Sequence, residues 1–486
     1  MLSMSKKVII VGAGFTGLQL ARTLVAEDVH VVLVDRDPEK VQHARNTLDC
    51  TVVESDGSSL ETLSEAGIAS ADALVTLTAD DETNLIVCSL VDADYPDVLK
   101  IARVRNYAYY MRTTATAKRH ANATASGERR PLFGVDHMLN PDVEAAAAIS
   151  RAMALGAVGS VIDLGGGYGI VSVSVAADDP FDGMPIRKLS TLPGWRYLIA
   201  YVESDKAAVL PDGNTVPKAG DRIGIVVSLA DIPALMHFMG HSDEEVLKTV
   251  TVFGADKVGT LVVDSQLPQR RVSTFSKIFG ASSRANSREI TIVDKDPVLC
   301  REAAERFGDV RVLCGDMADA DLLREEALDA SDLMIAASGN YDSNLVMAAY
   351  LKSRGVKRTI ALTLSGEFGD VARKLGVDVA VPMRDTVVDC IVSHLRGDNV
   401  KSIHAVCNRA FEIVECEVSA SSYAAGKTLS KLSSKGDRFI VLLVRNAESG
   451  EFSPPNGSTL IQAGARVVLV VHAGATKIIQ MFTGKA

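Results

Sequence analysis

The chain has 486 residues, with 61 acidic side chains against 51 basic, a net charge of −10 and an isoelectric point near 5.5. That balance argues against a general nucleic-acid binder, whose surface field must attract phosphates, and a charged fraction of 23% beside 47% hydrophobic residues argues against long disorder. Mean hydropathy is +0.16, yet no apolar run reaches the 18 or so residues of a spanning helix, so the apolar side chains belong in buried strands and helices. Length alone leaves room for about three domains of roughly 150 residues. Cys50, Cys88, Cys300, Cys314, Cys390, Cys407 and Cys416 are scattered without a C-x-x-C pair, as reduced thiols of a cytosolic protein are, and offer no metal site. Lys6 and Lys7 before Val8 to Val11 imitate an export signal, but the glycines that interrupt the apolar run, and Glu27 and Asp28 beyond it, argue against export.

In chain order, Val8 to Val11 reads as a strand, Gly12-Ala13-Gly14-Phe15-Thr16-Gly17 as a glycine loop, and Leu18 to Val25 as an amphipathic helix. Strands follow at Val29 to Val34, Thr51 to Val53, Leu74 to Leu77 and Leu99 to Ile101, so the pattern is a doubly wound parallel sheet. A lone G-x-G-x-x-G is a weak signal, but here it follows a strand, opens a helix and is answered by Asp35 at the end of the next strand. In that context Gly12 serves the tight turn, Gly14 the approach of a pyrophosphate, and Gly17 close packing of helix on strand. Amides at the helix start bind phosphates, and Asp35 accepts from ribose hydroxyls and disfavours a 2′-phosphate, so NAD(H) or another adenine nucleotide is expected over NADP(H). Asp56 after the third strand, Thr78 and Ala79 after the fourth and Arg103 at the end of the fifth line the same edge, with a turn cap the competing role of Asp56 and Thr78. Asp80, Asp81 and Glu82 read as helix N-terminal carboxylates.

The segment 108–130 reads as a helix running into a basic surface loop. Asn140 to Gly159 is a crossover in which Pro141 starts an Ala-rich helix that Gly156 and Gly159 end, and we expect the moving joint of the molecule there. Val161 to Ala176, Trp195 to Glu203 and Asp221 to Val227 then read as strands of a small α+β module with Pro-Asp-Gly turns.

The chain next repeats itself. Phe253-Gly254-Ala255-Asp256-Lys257-Val258-Gly259 answers the first glycine loop, Asp294-Lys295-Asp296-Pro297 answers Asp35-Arg36-Asp37-Pro38, and Asp316 answers Asp56. Asn344-Leu345 answers Asn84-Leu85, and Pro455-Asn456-Gly457 answers Pro211-Asp212-Gly213. A basic insertion at 269–288 sets Asp294 40 positions after Gly254, against 23 from Gly12 to Asp35. The fold expected is therefore α/β: two tandem Rossmann-like domains (1–138 and 241–383), each followed by a crossover helix and a small α+β module (139–240 and 384–486). Asp256 stands where Gly14 stands, and its carboxylate would occupy the space a pyrophosphate needs; the second loop is expected to hold no dinucleotide in the standard pose.

The glycine loop, Val34-Asp35-Arg36-Asp37, Ala71-Asp72-Ala73-Leu74, Thr78 to Asn84 and Ile101-Ala102-Arg103 together resemble the RCK (regulator of potassium conductance) domain, and two in tandem resemble the regulatory subunits of Trk-type bacterial potassium uptake systems. The resemblance covers essentially the whole chain, more loosely in the second half. It implies that Gly12 to Gly17, Asp35, Asp56, Thr78, Ala79 and Arg103 line a site for NAD(H), with ATP and ADP as competitors, where the nucleotide is a ligand and not a substrate. It also implies a homo-oligomeric ring, a tetramer, under a membrane-embedded potassium transporter subunit of the TrkH/TrkG type, on the cytoplasmic face of the inner membrane. An NAD-linked dehydrogenase, or a nucleotide sensor for another partner, shares these residues. A dehydrogenase needs a proton donor or acceptor beside the nicotinamide, and neither His137 nor His394 has a partner at a suggestive spacing, nor is there a nucleophile elbow, metal spacing or P-loop. No catalysis is expected.

Overall fold

The computed structural model describes residues 6–27, 29–110, 132–154, 161–177, 179–189, 198–204, 207–239, 247–267, 288–395, 400–407, 410–432, 438–445 and 450–484. Most of the two basic insertions, and Gly156 and Gly159, lie outside the described residues.

Strands β1 (Lys7–Val11), β2 (His30–Asp35), β3 (Thr51–Glu54), β4 (Ala73–Thr76), β5 (Leu99–Arg103) and β6 (His137–Leu139) form a parallel sheet in the order β3-β2-β1-β4-β5-β6. Its central strands are runs of Val, Ile and Leu buried on both faces, as helices on either side of a parallel sheet require. Helix Phe15–Ala26 buries Gly17, Leu20, Ala21 and Leu24, one stripe at i, i+3, i+4 and i+7. Helix Pro38–Thr47 starts at a proline whose missing N–H costs nothing there, and the Asp37 carboxylate accepts from the amides of Glu39 (3.0 Å) and Lys40 (3.4 Å).

The small module that follows is an antiparallel sheet of β7 (Val161–Gly165), β8 (Tyr168–Ser174), β9 (Leu198–Glu203), β10 (Ala208–Val209) and β11 (Arg222–Ser228), ordered β10-β9-β11-β8-β7. The second parallel sheet, β12 (Thr249–Phe253), β13 (Glu289–Asp294), β14 (Arg311–Cys314), β15 (Leu333–Ala336), β16 (Arg358–Thr363) and β17 (Val379–Pro382), repeats the first order as β14-β13-β12-β15-β16-β17. Asp296 and Pro297 start its second helix as Asp37 and Pro38 do in the first copy. The last module has β18 (Val400–Val406), β19 (Phe411–Glu417), β21 (Phe439–Arg445), β22 (Phe452–Ser453) and β24 (Arg466–His472) in the order β18-β19-β24-β21-β22. A separate pair is formed by β20 (Lys427–Thr428) and β23 (Leu460–Ile461). The two small modules share one core, in which Ile170, Tyr201 and Val226 pack with Phe411, Leu442 and Val470.

The chain packs as two compact units, 1–144 with 383–396, and 145–382 with 397–486. The helix that leaves the second parallel sheet, Met383–Leu395, therefore belongs with the first sheet. Lys6 Nζ donates to the Leu395 carbonyl (3.2 Å), and the rings of His137 and His394 stack with centroids 3.8 Å apart. Within the second unit, Ser150 of helix Pro141–Ala154 bonds Ser265 of helix Lys257–Gln266, Oγ to Oγ, at 2.7 Å.

A buried cation holds the edge of the first sheet that carries Arg103. Lys100 is 1% exposed, and its ammonium meets Asp92 (3.1 Å), Asp136 (3.5 Å) and the carbonyls of Pro96 (2.9 Å) and Val98 (2.8 Å). Asp136 also accepts from the Lys100 amide (2.7 Å) and so ties β5 to β6. Removing one partner of a buried charge cluster leaves the others uncompensated. Lys100→Ala should lower stability by about 3 to 5 kcal/mol in urea unfolding; a change below 1 kcal/mol would show that the two carboxylates are solvated without it.

Candidate functional site

The first glycine loop lies at the carboxyl ends of β1 and β4, where the strand order reverses and an open α/β sheet leaves a crevice. Its three glycines do three different things. Gly12 has φ +112°, and a Cβ there would stand 2.9 Å from the Leu77 carbonyl carbon and 3.0 Å from the Thr78 nitrogen. A Cβ on Gly17 would collide with the Gly12 carbonyl oxygen, so helix and strand pack at the closest distance glycine allows. Gly14 is different: its backbone is extended (φ −69°, ψ 179°), any residue could adopt it, and a Cβ there would meet nothing within 4 Å. Gly14 caps helix Phe15–Ala26 without any side-chain acceptor, so the amides of the first turn have no side-chain cap. Thr16 is half-buried, and Phe15 is largely exposed.

The carboxylate of Asp35 braces this loop. Oδ2 accepts from the Ala13 amide (2.6 Å) and Oδ1 from the Asp37 amide (2.9 Å), which leaves each oxygen a further lone pair for hydroxyl donors. Asp56 closes a turn, accepting from the Ser58 amide (3.0 Å) and hydroxyl (2.8 Å), and those bonds, with Arg36 nearby, lower its pKa below the ordinary 3.8. Thr78 serves the scaffold: its amide (3.0 Å) and hydroxyl (2.8 Å) donate to Asn84 Oδ1. Ala79 is exposed beside it.

Arg103 ends β5 and turns back to the edge. One terminal nitrogen donates to the Thr78 carbonyl (2.6 Å), while Nε is buried without a hydrogen-bond partner. Burial, and after it the neighbouring Arg105, lower its pKa from the ordinary arginine value, so an anion brought to Nε would relieve an existing cost. Asp80 caps helix Asp81–Asp94 through the Thr83 amide (2.8 Å), and Asp81 accepts from the amides of Arg105 (3.0 Å) and Asn106 (2.6 Å).

Two contributors are not apparent from sequence spacing. Asn84 is fully buried, and its amide nitrogen clasps the carbonyls of Thr78 (3.1 Å) and Arg103 (2.9 Å), joining the ends of β4 and β5. Its recurrence as Asn344, which clasps Ser338 (2.8 Å) and Leu362 (3.1 Å), is the signal that points to it. The second is Arg384, whose guanidinium carbon lies 4.1 Å from the centre of the Phe15 ring.

The second copy keeps the frame and fills the opening. Gly254 has φ +108°, Asp294 accepts from the Ala255 amide (2.7 Å) and the Asp296 amide (2.9 Å), and a Cβ on Gly259 would collide with the Gly254 carbonyl oxygen. Asp256 caps helix Lys257–Gln266 with its own side chain, at 3.5 Å from the Gly259 amide. Burial, and further the Asp294 carboxylate, raise its pKa above 3.8, while the backbone amides of Gly259, Gly339 and Val258 hold it down. Those amides are thus engaged by the chain's own carboxylate. Like charges about 4 Å apart at an effective dielectric near 20 repel by roughly 4 kcal/mol, about half the free energy of a micromolar affinity.

Residues 8–123 and 277–382 match the family model of the TrkA-N domain, and residues 413–480 that of the TrkA-C domain, together more than half of the chain. Over 481 residues the chain is 26% identical to the Trk system potassium uptake protein TrkA of Azorhizobium caulinodans, covering 98% of each chain. It is 26% identical to the protein of the same name from Haemophilus influenzae over 84% of this chain and 83% of that one, and 24% identical to TrkA homolog 1 of Methanosarcina mazei over 98% and 99%. The fold is similar to that of the crystal structure of the GsuK RCK domain, with a TM-score of 0.54 at 16% identity over 99% of this chain and 96% of that chain. It is similar to the same degree to the GsuK channel bound to NAD, over 99% and 79%.

A carboxylate whose folded pKa is raised contributes stability below its ordinary pKa and loses it as pH rises through the folded value. Asp256→Asn should therefore raise the urea midpoint at pH 7, and the gain should vanish as pH falls toward 3.8. A variant less stable than the parent at pH 7 would show that the charge itself is needed to hold the loop.

Proposed function

The chain belongs to the TrkA family of Trk-system potassium uptake proteins, and on that premise we propose that it is the nucleotide-binding regulatory subunit of a potassium uptake system, with NAD(H) as ligand and ATP and ADP as competitors. The observation that carries this reading is the opening at Gly14, where the helix start has no side-chain cap and the Asp35 carboxylate braces the loop; Arg103, whose Nε is buried without a hydrogen-bond partner, ends β5 at the same edge of the sheet. Each of these matches a part of the ligand. Helix amides bind phosphates, the remaining lone pairs of Asp35 accept from ribose hydroxyls, and Arg103 Nε donates to an anionic oxygen. A 2′-phosphate would instead face the Asp35 carboxylate, which disfavours NADP(H).

The nucleotide acts here as a ligand. The two histidines considered for proton transfer, His137 and His394, stack on each other, and His137 opens β6 at the amino edge of the sheet, away from the glycine loop. Binding is transmitted through the end of β5. Two residues beyond Arg103, the Arg105 carbonyl accepts from Asn140 Nδ2 (3.0 Å), and Asn140 Oδ1 accepts from the amides of Asp142 (3.1 Å) and Val143 (3.2 Å) at the start of helix Pro141–Ala154. A ligand that draws on Arg103 thus acts on the cap of the crossover helix. It shifts the transporter only by the difference in its affinity for the two conformations, and a coupling of about 1 to 3 kcal/mol changes transport several-fold to a hundredfold.

The same reading places the protein as a ring of four copies at the cytoplasmic face of the membrane, attached through a membrane-embedded transporter subunit. No described helix is long and apolar enough to cross a membrane, and the net charge of −10 disfavours direct binding to anionic lipid.

A thermal-shift series with NAD, NADH, NADP, ATP and ADP tests the site. At a hundred times its dissociation constant a ligand adds about 2.7 kcal/mol, so NAD(H) should raise the melting temperature by a few degrees and NADP should not. Asp35→Ala should fold and lose the NAD shift; an undiminished shift in that variant would move the site elsewhere.

A further inference from the structure

Phe15 is 70% exposed although it opens the helix on which the phosphates of the proposed ligand would rest. Arg384, whose guanidinium covers it, is the second residue of helix Met383–Leu395, a segment that comes from the other half of the sequence and packs in the first unit. Building on the nucleotide reading above, we propose that Arg384 is a phosphate-contacting residue of the first glycine loop, supplied by the second repeat, so that the bound nucleotide grips the second repeat's crossover helix directly.

Three observations support this. The first is placement. The carboxyl end of the helix is fixed at the amino edge of the first sheet, by Lys6 on the Leu395 carbonyl and His137 on His394, while Arg384 lies over Phe15 at the carboxyl edge. Thirteen helical residues span about 20 Å, enough to run the height of a sheet whose five-residue strands span about 17 Å. The helix thus delivers its first turn to the glycine loop.

The second is charge. Asp35, Asp37, Asp56, Asp80 and Asp81 all lie at this edge, so a pyrophosphate needs cations to offset them. Arg103 already spends one terminal nitrogen on the Thr78 carbonyl, and Arg36 acts on Asp56 and Asp80. A guanidinium over an aromatic face directs its N–H groups outward in its own plane, where they can meet a phosphate while the contact persists.

The third is asymmetry. At the positions that correspond in the repeat the sequence has Lys257 for Phe15 and Asp142 for Arg384, the latter two each the second residue of its crossover helix. The aromatic-arginine pair thus accompanies only the copy whose loop is open, and is missing where Asp256 fills it.

Titration calorimetry on the full chain with ADP, NAD and adenosine, in the parent, Arg384→Ala and Arg384→Lys, decides the matter. Arg384→Ala should weaken ADP and NAD at least tenfold and leave adenosine unchanged, and Arg384→Lys should recover part of the loss. Equal ADP affinity in parent and Arg384→Ala would overturn the proposal. So would a parallel loss for adenosine, which marks a residue that only packs the loop. If the parent binds none of the three, the nucleotide reading itself fails and this proposal with it; if the parent binds and the variant is indifferent, only the role of Arg384 fails.

Discussion

One hydrogen bond, made twice, underlies the organisation of this chain: the carboxylate at the end of the second strand of each parallel sheet accepts from the amide between the first two loop positions. Asp35 takes the Ala13 amide at 2.6 Å and Asp294 the Ala255 amide at 2.7 Å. The bond fixes the loop against the neighbouring strand at the point where the following helix starts. It also holds the acidic side chain at the loop, so the group that shapes the loop in the first copy is the group we propose to read a ribose.

With the frame held in common, the two halves diverge at one side chain. At Gly14 the helix start is left open, and at Asp256 it is closed by an internal carboxylate that caps the helix amides. The consequence is a division of labour. The first sheet keeps an orphaned arginine nitrogen and uncapped amides, both of which are more stable with an anion present. The second has its anion built in, and its helix start is satisfied without ligand. On the proposed reading, the substitution of one glycine separates a part that responds to ligand from a part that does not.

How much of this the sequence discloses follows from the range of the interactions. The doubly wound sheet, the tight turn at Gly12, the close packing at Gly17 and the replacement of Gly14 by Asp256 are legible because each depends on residues a few positions apart and on strand periodicity. The internal repeat adds the tandem architecture. Asn84, whose clasp joins two strand ends, is visible only as a residue that recurs at Asn344. Asp56 and Thr78 carry polar groups at the expected edge, but a turn and an asparagine claim their nearest bonds, and no pattern in sequence ranks those partners. Arg384 on Phe15 and His394 on His137 lie hundreds of positions apart, and the packing of helix Met383–Leu395 with the first sheet is a tertiary choice that amphipathicity alone does not assign.

The central claim is that the two nearly identical frames are unequal in binding because one opening is filled from within. The number of NAD molecules bound per chain, measured by titration calorimetry of the full-length protein, tests it most directly. The account predicts one. Two equivalent sites per chain would contradict the closure at Asp256, and none would contradict the reading of the first loop.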